Sequence, residues 1–220
     1  SETLTFTIDS ALHGQLQQLA KDEQATLYMV LQSGFLALMT KLGAGEDLIL
    51  GSPMAGRDQE ELLANVGMFI NTVAIRTDTS GDPRFTKLME RVKQTSIEAM
   101  EHQYVPFDHI VETLKPTRVP SQHPIFQIMF ALQNTPQPSL VMEGQNADIQ
   151  LHTVGQPKFD LNIEMREVYL AEQPNGIEVQ VEFRTDLYEA KTVTALMERY
   201  VIVLQQALHN PAISELNVLL

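Results

Sequence analysis

The chain has 220 residues, of which 44% are hydrophobic, a formal net charge of −13 and no cysteine. This length and hydrophobic content are sufficient for one domain with a sizeable core. The acidic excess argues against nucleic acid as a partner, and the lack of basic runs argues against an anionic membrane surface. The lack of cysteine excludes disulfides and thiolate chemistry. No signal pattern and no membrane-length apolar run is present, so we expect a cytoplasmic protein.

The first part of the chain predicts one strand and two helices. Residues 4–8, LTFTI, alternate in the way that is typical of a strand. Asp9 or Ser10 can then cap a helix with one leucine-rich face. Thr26 predicts the start of a second helix, which is apolar nearly all round and ends before Gly43. A helix of that composition is expected to be buried.

The middle of the chain predicts two strands followed by two helices. Residues 47–52, DLILGS, and residues 68–77, MFINTVAIRT, are apolar runs that favour strands. Asp82 followed by Pro83 predicts a helix N-terminus, with the aspartate as the cap and the proline at the first helical position. Pro106–Leu114 predicts a second, short helix.

The last part of the chain predicts a buried strand, a hairpin and a helix. Residues 124–134, PIFQIMFALQN, are apolar on both faces and should lie in the middle of a sheet. A loop rich in proline and glycine follows, with a possible strand at 147–154. Residues 159–168 and 176–185 predict a hairpin, and residues 189–210 a long amphipathic helix. This order of elements predicts one α+β domain, a mixed sheet with helices mainly on one face.

The sequence contains no complete catalytic constellation. None of its six histidines has the spacing of a zinc-protease site, and no G-x-S-x-G serine motif or phosphate-binding loop is present. His102, Asp108 and His109 lie close together in sequence, but Pro106 interrupts the helix between the histidines, so we interpret them as structural. The acidic pairs elsewhere are interpreted as solvated, namely Glu60 with Glu61 and Glu143 with Asp148. We therefore predict no catalytic residue and no metal site.

Five stretches in order resemble the motifs of the C-terminal half of condensation domains from non-ribosomal peptide synthetases. They are GEDLILGSPMAGR (45–57), VGMFINTVAIR (66–76), HQYVPFDHIVETL (102–114), HPIFQIMFALQN (123–134) and KFDLNIEM (158–165). The closing strand and helix also resemble the family pattern, so the resemblance runs essentially from end to end. GMFINT resembles the condensing type rather than the epimerising relatives.

The resemblance implies that the chain is one lobe of a two-lobed enzyme with a chloramphenicol acetyltransferase-like fold. Condensation domains of antibiotic and other secondary-metabolite synthetases join a donor acyl or peptidyl thioester to an acceptor aminoacyl thioester. Both are carried on phosphopantetheine arms of carrier proteins. The family's paired-histidine motif belongs to the N-terminal lobe and is missing here. Residues 1–220 are therefore expected to be the C-terminal lobe, inactive alone and binding no cofactor directly.

The resemblance also implies roles for several side chains. Arg57 matches an arginine expected to pair with the motif aspartate of the other lobe, the alternative being a surface arginine. Asn71 interrupts an apolar strand and is expected to support the active site or the packing.

Alternation along 124–134 separates two faces of the predicted strand. Phe126, Ile128, Phe130 and Leu132 should meet the helices, and the face with Gln127, Met129, Ala131 and Gln133 should line the cleft. Met129 could equally be a core residue.

Partners follow from the same resemblance. Residues 52–65 and 134–157 resemble the crossovers to the N-terminal lobe, the longer one as a latch that adds a strand to the partner sheet. Donor and acceptor carrier proteins and an adjacent adenylation domain are the other expected partners. Two rival functions are a stand-alone acyltransferase, which would need its own catalytic histidine motif, and a non-catalytic condensation-like module that recruits a partner protein.

Overall fold

A six-stranded mixed sheet forms the centre of the molecule. The computed structural model describes residues 1–56, 65–117, 119, 122–133, 141–142, 145–146, 158–170 and 173–219. The strands of the sheet are β1 (Glu2–Ile8), β2 (Asp47–Met54), β3 (Asn71–Asp78), β4 (Ile128–Gln133), β7 (Leu161–Leu170) and β8 (Gln173–Phe183). Two short strands, β5 (Val141–Met142) and β6 (Gln145–Asn146), pair with each other.

The strand order across the sheet is β1-β8-β7-β4-β2-β3. The pairings of β4 with β2 and with β7 are parallel, and the other pairings in the sheet are antiparallel. The prediction that β4 lies inside the sheet is therefore confirmed. It explains why this segment is apolar on both faces.

Helices cover one face of the sheet. They are α1 (Ser10–Asp22), α2 (Leu27–Lys41), α3 (Phe85–Glu101) and α5 (Ala190–Ala207), and a shorter helix, α4 (Phe107–Leu114), follows α3. One apolar cluster joins residues of α1, α2, α3 and α5 to the inward side chains of the strands. The predicted α+β fold, with its helices mainly on one face, is confirmed.

The helix α2 is the centre of this core. Its ten residues 29–38 are all buried, because the sheet, α3 and α5 pack around it. Gly34 allows the close approach of α5, since a Cβ there would lie 2.6 Å from Leu204 Cδ2. Tyr200 of α5 donates a buried hydrogen bond to the carbonyl of Leu31, 2.8 Å away. Burial raises the pKa of the Tyr200 phenol well above its usual value.

The second predicted apolar strand begins later than its sequence pattern indicates. Residues 68–70 precede β3 and are not part of a strand, and the exposed fractions of Met68 and Ile70 are 93% and 65%. The reason is the length of the neighbouring strand, because the β2 register ends at Met54, which pairs with Asn71. Apolar residues that favour strands do not make a strand without a partner strand.

The predicted helix start at Asp82 and Pro83 is wrong. The helix α3 begins at Phe85 with Arg84 at the N-cap. The Asp82 carboxylate instead accepts hydrogen bonds from the backbone N–H and the hydroxyl of Ser214, at 2.7 and 2.6 Å. These bonds hold the pKa of Asp82 below its usual value. A contact 132 residues away in sequence therefore replaces the local cap.

Membrane-spanning helices and metal-binding clusters can be assessed for the described residues only. None of the helices described is long and apolar enough to cross a membrane. Among the same residues, no group of three His, Asp or Glu side chains could hold a metal ion. The strand predicted at 147–154 lies outside the described residues.

Replacing Tyr200 by phenylalanine should destabilise the chain by about 1 kcal/mol, because it removes one buried hydrogen bond without opening a cavity. Urea unfolding should show a lower midpoint with an unchanged slope. An unchanged midpoint would contradict the buried bond to Leu31.

Candidate functional site

The second face of the sheet is covered at its centre, although the helices α1, α2, α3 and α5 contribute to the core on the other face. The Phe130 ring of β4 faces the helices, with its centroid 5.4 Å from that of Phe35 in α2. Met129 and Ala131 point to the opposite face by alternation, and they are only 8% and 3% exposed. Side chains from outside the strands must therefore cover this face.

The cover is a cluster of four aromatic rings, which we call the aromatic corner: Phe107, His123, Phe126 and Phe159. The centroid of Phe126 lies 4.2 Å from that of His123 and 5.7 Å from that of Phe107. Phe126 also stacks on Phe159, at 5.4 Å and 23° between the ring planes. The first residue of α4, the segment before β4 and the segment before β7 thus meet at one point.

Gly51 of β2 makes this corner possible. A Cβ on Gly51 would lie 2.1 Å from the Phe126 ring, so only glycine leaves room for the ring. Leu50 is in the core under the helices, so Gly51 faces the other side of the sheet. Phe126 therefore lies opposite to the helices, and the prediction that it shares a face with Phe130 is wrong. The cause is that β4 begins only at Ile128, so strand alternation does not extend back to Phe126.

Burial in the corner favours the neutral form of the His123 side chain. Burial lowers the pKa of His123, and a hydrogen bond to the backbone of Phe126 opposes this shift only in part. Its Nδ1 atom is buried and has no hydrogen-bond partner among the residues described. The backbone carbonyl of His123 accepts a bond from Gln127 Nε2 at 3.2 Å. The corner therefore fixes the side chain of Gln127 beside the covered face.

Asn71 fastens the turn that leads from α3 to α4. Its Nδ2 atom donates to the backbone carbonyls of Gln103 and Val105, at 2.7 and 2.8 Å. These two bonds connect the start of β3 to the turn before Phe107. Asn71 thereby helps to set the position of α4 and its ring in the aromatic corner.

The other predicted site residues are distributed along this face. Gln127 is half-buried, Met129 is buried, and Gln133 is exposed at the end of β4. Their role in lining a cleft remains a prediction. Arg57 and most of the two predicted crossovers, 52–65 and 134–157, lie outside the described residues, as do the four acidic residues of the two pairs.

All five stretches that carry the sequence resemblance meet at or beside the aromatic corner. They contribute, in chain order, Gly51, Asn71, Phe107, His123 with Phe126, and Phe159. The four-ring cluster was not predicted from the sequence. One signal was available, because an isolated glycine inside an apolar strand indicates a close approach by another group.

A family model described as "Condensation domain" matches residues 1–220. The chain belongs to the condensation-domain family. This confirms the resemblance, and the mixed sheet agrees with the fold of solved condensation domains. The first condensation domain of the calcium-dependent antibiotic synthetase, for example, aligns with a TM-score of 0.79 at 19% identity over 100% of this chain and 47% of that chain.

The similar proteins include synthetases that are far longer than this condensation-domain chain. It is 44% identical over 211 residues to a dimodular nonribosomal peptide synthase of Bacillus subtilis (strain 168). That alignment covers 96% of this chain and 9% of the relative. It is 34% identical over 222 residues to bacitracin synthase 3 of Bacillus licheniformis. That alignment covers 99% of this chain and 3% of the relative. The chain therefore spans a small part of each synthetase.

The condensation-domain chain also resembles an X-domain. The structure of the complex of the X-domain and OxyB from teicoplanin biosynthesis aligns with a TM-score of 0.87 at 28% identity. The alignment covers 100% of this chain and 48% of the X-domain chain. The chain thus corresponds to about half of that domain.

Replacing Gly51 by alanine should destabilise the chain by roughly 1–3 kcal/mol, because the methyl group overlaps the Phe126 ring. The matched control is Gly14→Ala in α1, where the new Cβ would meet nothing within 4 Å apart from its chain neighbours and the backbone of its own helix. Helix propensity predicts a gain of roughly 0.5–1 kcal/mol for the control. Equal urea midpoints for the two variants would contradict the close approach at Gly51.

Replacing Asn71 by alanine should cost roughly 1–2 kcal/mol, since two backbone carbonyls lose their donor. Hydrogen exchange at residues 103–105 should accelerate at the same time. Gln103→Ala is the control, because it keeps the backbone carbonyl that Asn71 binds. Unchanged exchange in the Asn71 variant would contradict its role at this turn.

Proposed function

We propose that the chain is the C-terminal lobe of a condensation domain in a non-ribosomal peptide synthetase, with residues 1–220 forming one lobe and the N-terminal lobe contributed by other residues. In this proposal it supports amide-bond formation between a donor acyl or peptidyl thioester and an acceptor aminoacyl thioester. The observation that carries the proposal is the convergence of all five family stretches at the aromatic corner. The match to about half of the X-domain chain supports the assignment to one lobe.

The proposed reaction needs little from this lobe beyond positioning. The acceptor amine attacks the thioester carbonyl, a C–N bond forms, the C–S bond breaks, and the sulfur leaves with a proton as a thiol. A thioester is already activated, so orientation and proton transfer are the contributions open to the protein. Neither His13 nor His123 offers a free base on the covered face. His13 is bound to Glu167 on the helix side, and His123 is packed in the corner.

The side chains of this lobe then have supporting roles. Gln127, Met129 and Gln133 form one wall of the tunnel through which the thioester arms approach. The bond from Gln127 to the carbonyl of His123 supports this role, because it holds the amide in one orientation. Arg57 supplies a cation for the motif aspartate of the other lobe. Asn71 supports the wall indirectly through the turn before α4.

The proposed partners are those of a module in a multidomain synthetase. Donor and acceptor carrier proteins present phosphopantetheine arms, which act as substrate carriers rather than as cofactors bound by this lobe. The N-terminal lobe completes the active site through the crossovers, and an adenylation domain is adjacent. The reaction is proposed to take place in the cytoplasm, without nucleic acid or membrane.

A second candidate function is recruitment of a partner protein without catalysis. The observation that favours it is the likeness to the X-domain, which was solved in complex with OxyB. The two functions differ in what the complete domain does with loaded carrier proteins.

A condensation assay with loaded donor and acceptor carriers distinguishes these functions. The 220-residue chain alone should form no product, and addition of the N-terminal lobe should restore turnover. Turnover by the chain alone would contradict the assignment to one lobe. Absence of turnover with both lobes, together with saturable binding of a partner protein, would favour recruitment.

Within the restored domain, Arg57→Ala should lower kcat/KM by at least about tenfold, because a buried carboxylate of the other lobe loses its cation. Arg76→Ala is the control, since Arg76 pairs with Asp47 at an exposed edge of the sheet. Equal activity of both variants would contradict the role of Arg57.

A further inference from the structure

The β7–β8 hairpin extends beyond the sheet and lies against α1. A register shift between the pairs Glu167–Ile177 and Tyr169–Pro174 adds one residue to β8 at this point, because Asn175 and Gly176 lie opposite the single residue Val168. Such bulges bend a strand and redirect its side chains. We call the part of the hairpin beyond the shift, residues 169–170 and 173–176, the hairpin tip.

His13 of α1 binds both strands of the hairpin with its two ring nitrogens. Its Nδ1 atom accepts a hydrogen bond from the backbone N–H of Gly176 at 3.2 Å. Its Nε2 atom lies 2.9 Å from Glu167 Oε1. Because Nδ1 accepts, the single proton of a neutral imidazole is on Nε2 and is donated to Glu167. His13 is completely buried, so the ring has no access to water in this state.

Among the described residues, three donors bind Glu167 Oε1. Besides His13, it accepts from Gln17 Nε2 at 2.8 Å and from the Tyr169 hydroxyl at 2.7 Å. Burial alone would raise the pKa of Glu167, but the bonds from Tyr169, His13 and Gln17 outweigh burial and hold the pKa below its usual value. The ionised carboxylate is therefore the form that the site stabilises.

The tip cannot keep this position with another residue in place of Gly176. Gly176 has φ of +111°, and a Cβ there would lie 2.8 Å from the carbonyl oxygen of Ile8. The tyrosine of the tip packs edge-on against the imidazole, with 5.7 Å between the centroids of His13 and Tyr169. The hydrogen bonds and the ring contact depend on one orientation of His13.

We propose that His13 and Glu167 form a proton-sensitive clasp, which holds the hairpin tip on α1 while the imidazole is neutral and releases it when the imidazole takes a second proton. A proton on Nδ1 would place two N–H donors opposite each other, so the bond from Gly176 would be lost. The new positive charge would be buried beside one carboxylate, and the tip would open to hydrate it.

The other ionisable groups at the clasp do not reverse the release of the hairpin tip by acid. Asp9, at the start of α1, accepts a bond from the N–H of Leu12. On β8, Glu178 pairs with Arg166 on the opposite face of the sheet. The lowered pKa of Glu167 means that its stabilising contribution is present above its ordinary pKa and is lost as the pH falls through the lowered value. Loss of the Glu167 charge in acid therefore acts in the same direction as a second proton on His13.

Hydrogen exchange of the Gly176 amide tests the clasp. Between about pH 8 and about pH 5, its protection relative to the intrinsic rate should fall at least about tenfold in the wild-type chain. The amides of Val179 and Val181, within the sheet, should keep their protection. Constant protection of Gly176 over this range would overturn the proposal.

Two variants separate the halves of the clasp. His13→Asn places an amide oxygen near the position of Nδ1, so the asparagine can accept a hydrogen bond from Gly176 but cannot titrate. In this variant the protection of the Gly176 amide should not depend on pH. His13→Gln can still donate to Glu167 but loses the acceptor, and Gly176 should be unprotected at both pH values. Persistent pH dependence in His13→Asn would overturn the proposal.

The imidazole ¹⁵N resonances of the wild-type chain give a second reading that needs no variant. Nδ1 should be unprotonated at about pH 8, and its protonation should coincide with the loss of Gly176 protection. Protonation of Nδ1 without that loss, or a proton on Nδ1 at about pH 8, would overturn the proposal.

Discussion

The contact between the Phe126 ring and Gly51 determines how the second face of the sheet is built. Gly51 belongs to β2, and Phe126 shortly precedes β4, which pairs with β2 in parallel. The ring can lie on the sheet only because the strand has no side chain at that position. Once Phe126 is there, His123 and Phe159 pack on it, and Phe107 brings in α4. The covered face of β4 follows from this contact.

Local signals in the sequence predicted much of the helical layer, and contacts between distant residues decided the rest. Thr26 caps α2 as predicted, and Asp9, one of the two predicted candidates, caps α1, because an N-cap depends on hydrogen bonds within three residues. Asp82 failed as a cap because Ser214, far along the chain, binds its carboxylate. The apolar residues before Asn71 failed as a strand because β2 offers no register for them. In both cases a segment that is distant in sequence decides the structure, and a local sequence pattern contains no information about it.

The candidate site was predictable in part for the same reason. Family resemblance identified the five stretches, and strand alternation correctly separated Met129 from Phe130. It could not show that the five stretches converge, because convergence is a property of the tertiary structure. Strand alternation also placed Phe126 on the wrong face, because the predicted strand extended too far towards the N-terminus. His13 lies in a hydrogen-bonded network, whereas His123 lies in an aromatic cluster. No spacing in the sequence indicates this difference.

The proposed two-lobed domain, in which the covered β4 face looks towards the second lobe, would account for both the aromatic corner and the family resemblance. The most direct test is a crystal structure of the two lobes together. We expect Met129 and Gln133 to border the cleft between the lobes, with the Arg57 guanidinium bound to a carboxylate of the other lobe. A structure in which the helix layer faces the other lobe, with the aromatic corner turned to solvent, would contradict this arrangement.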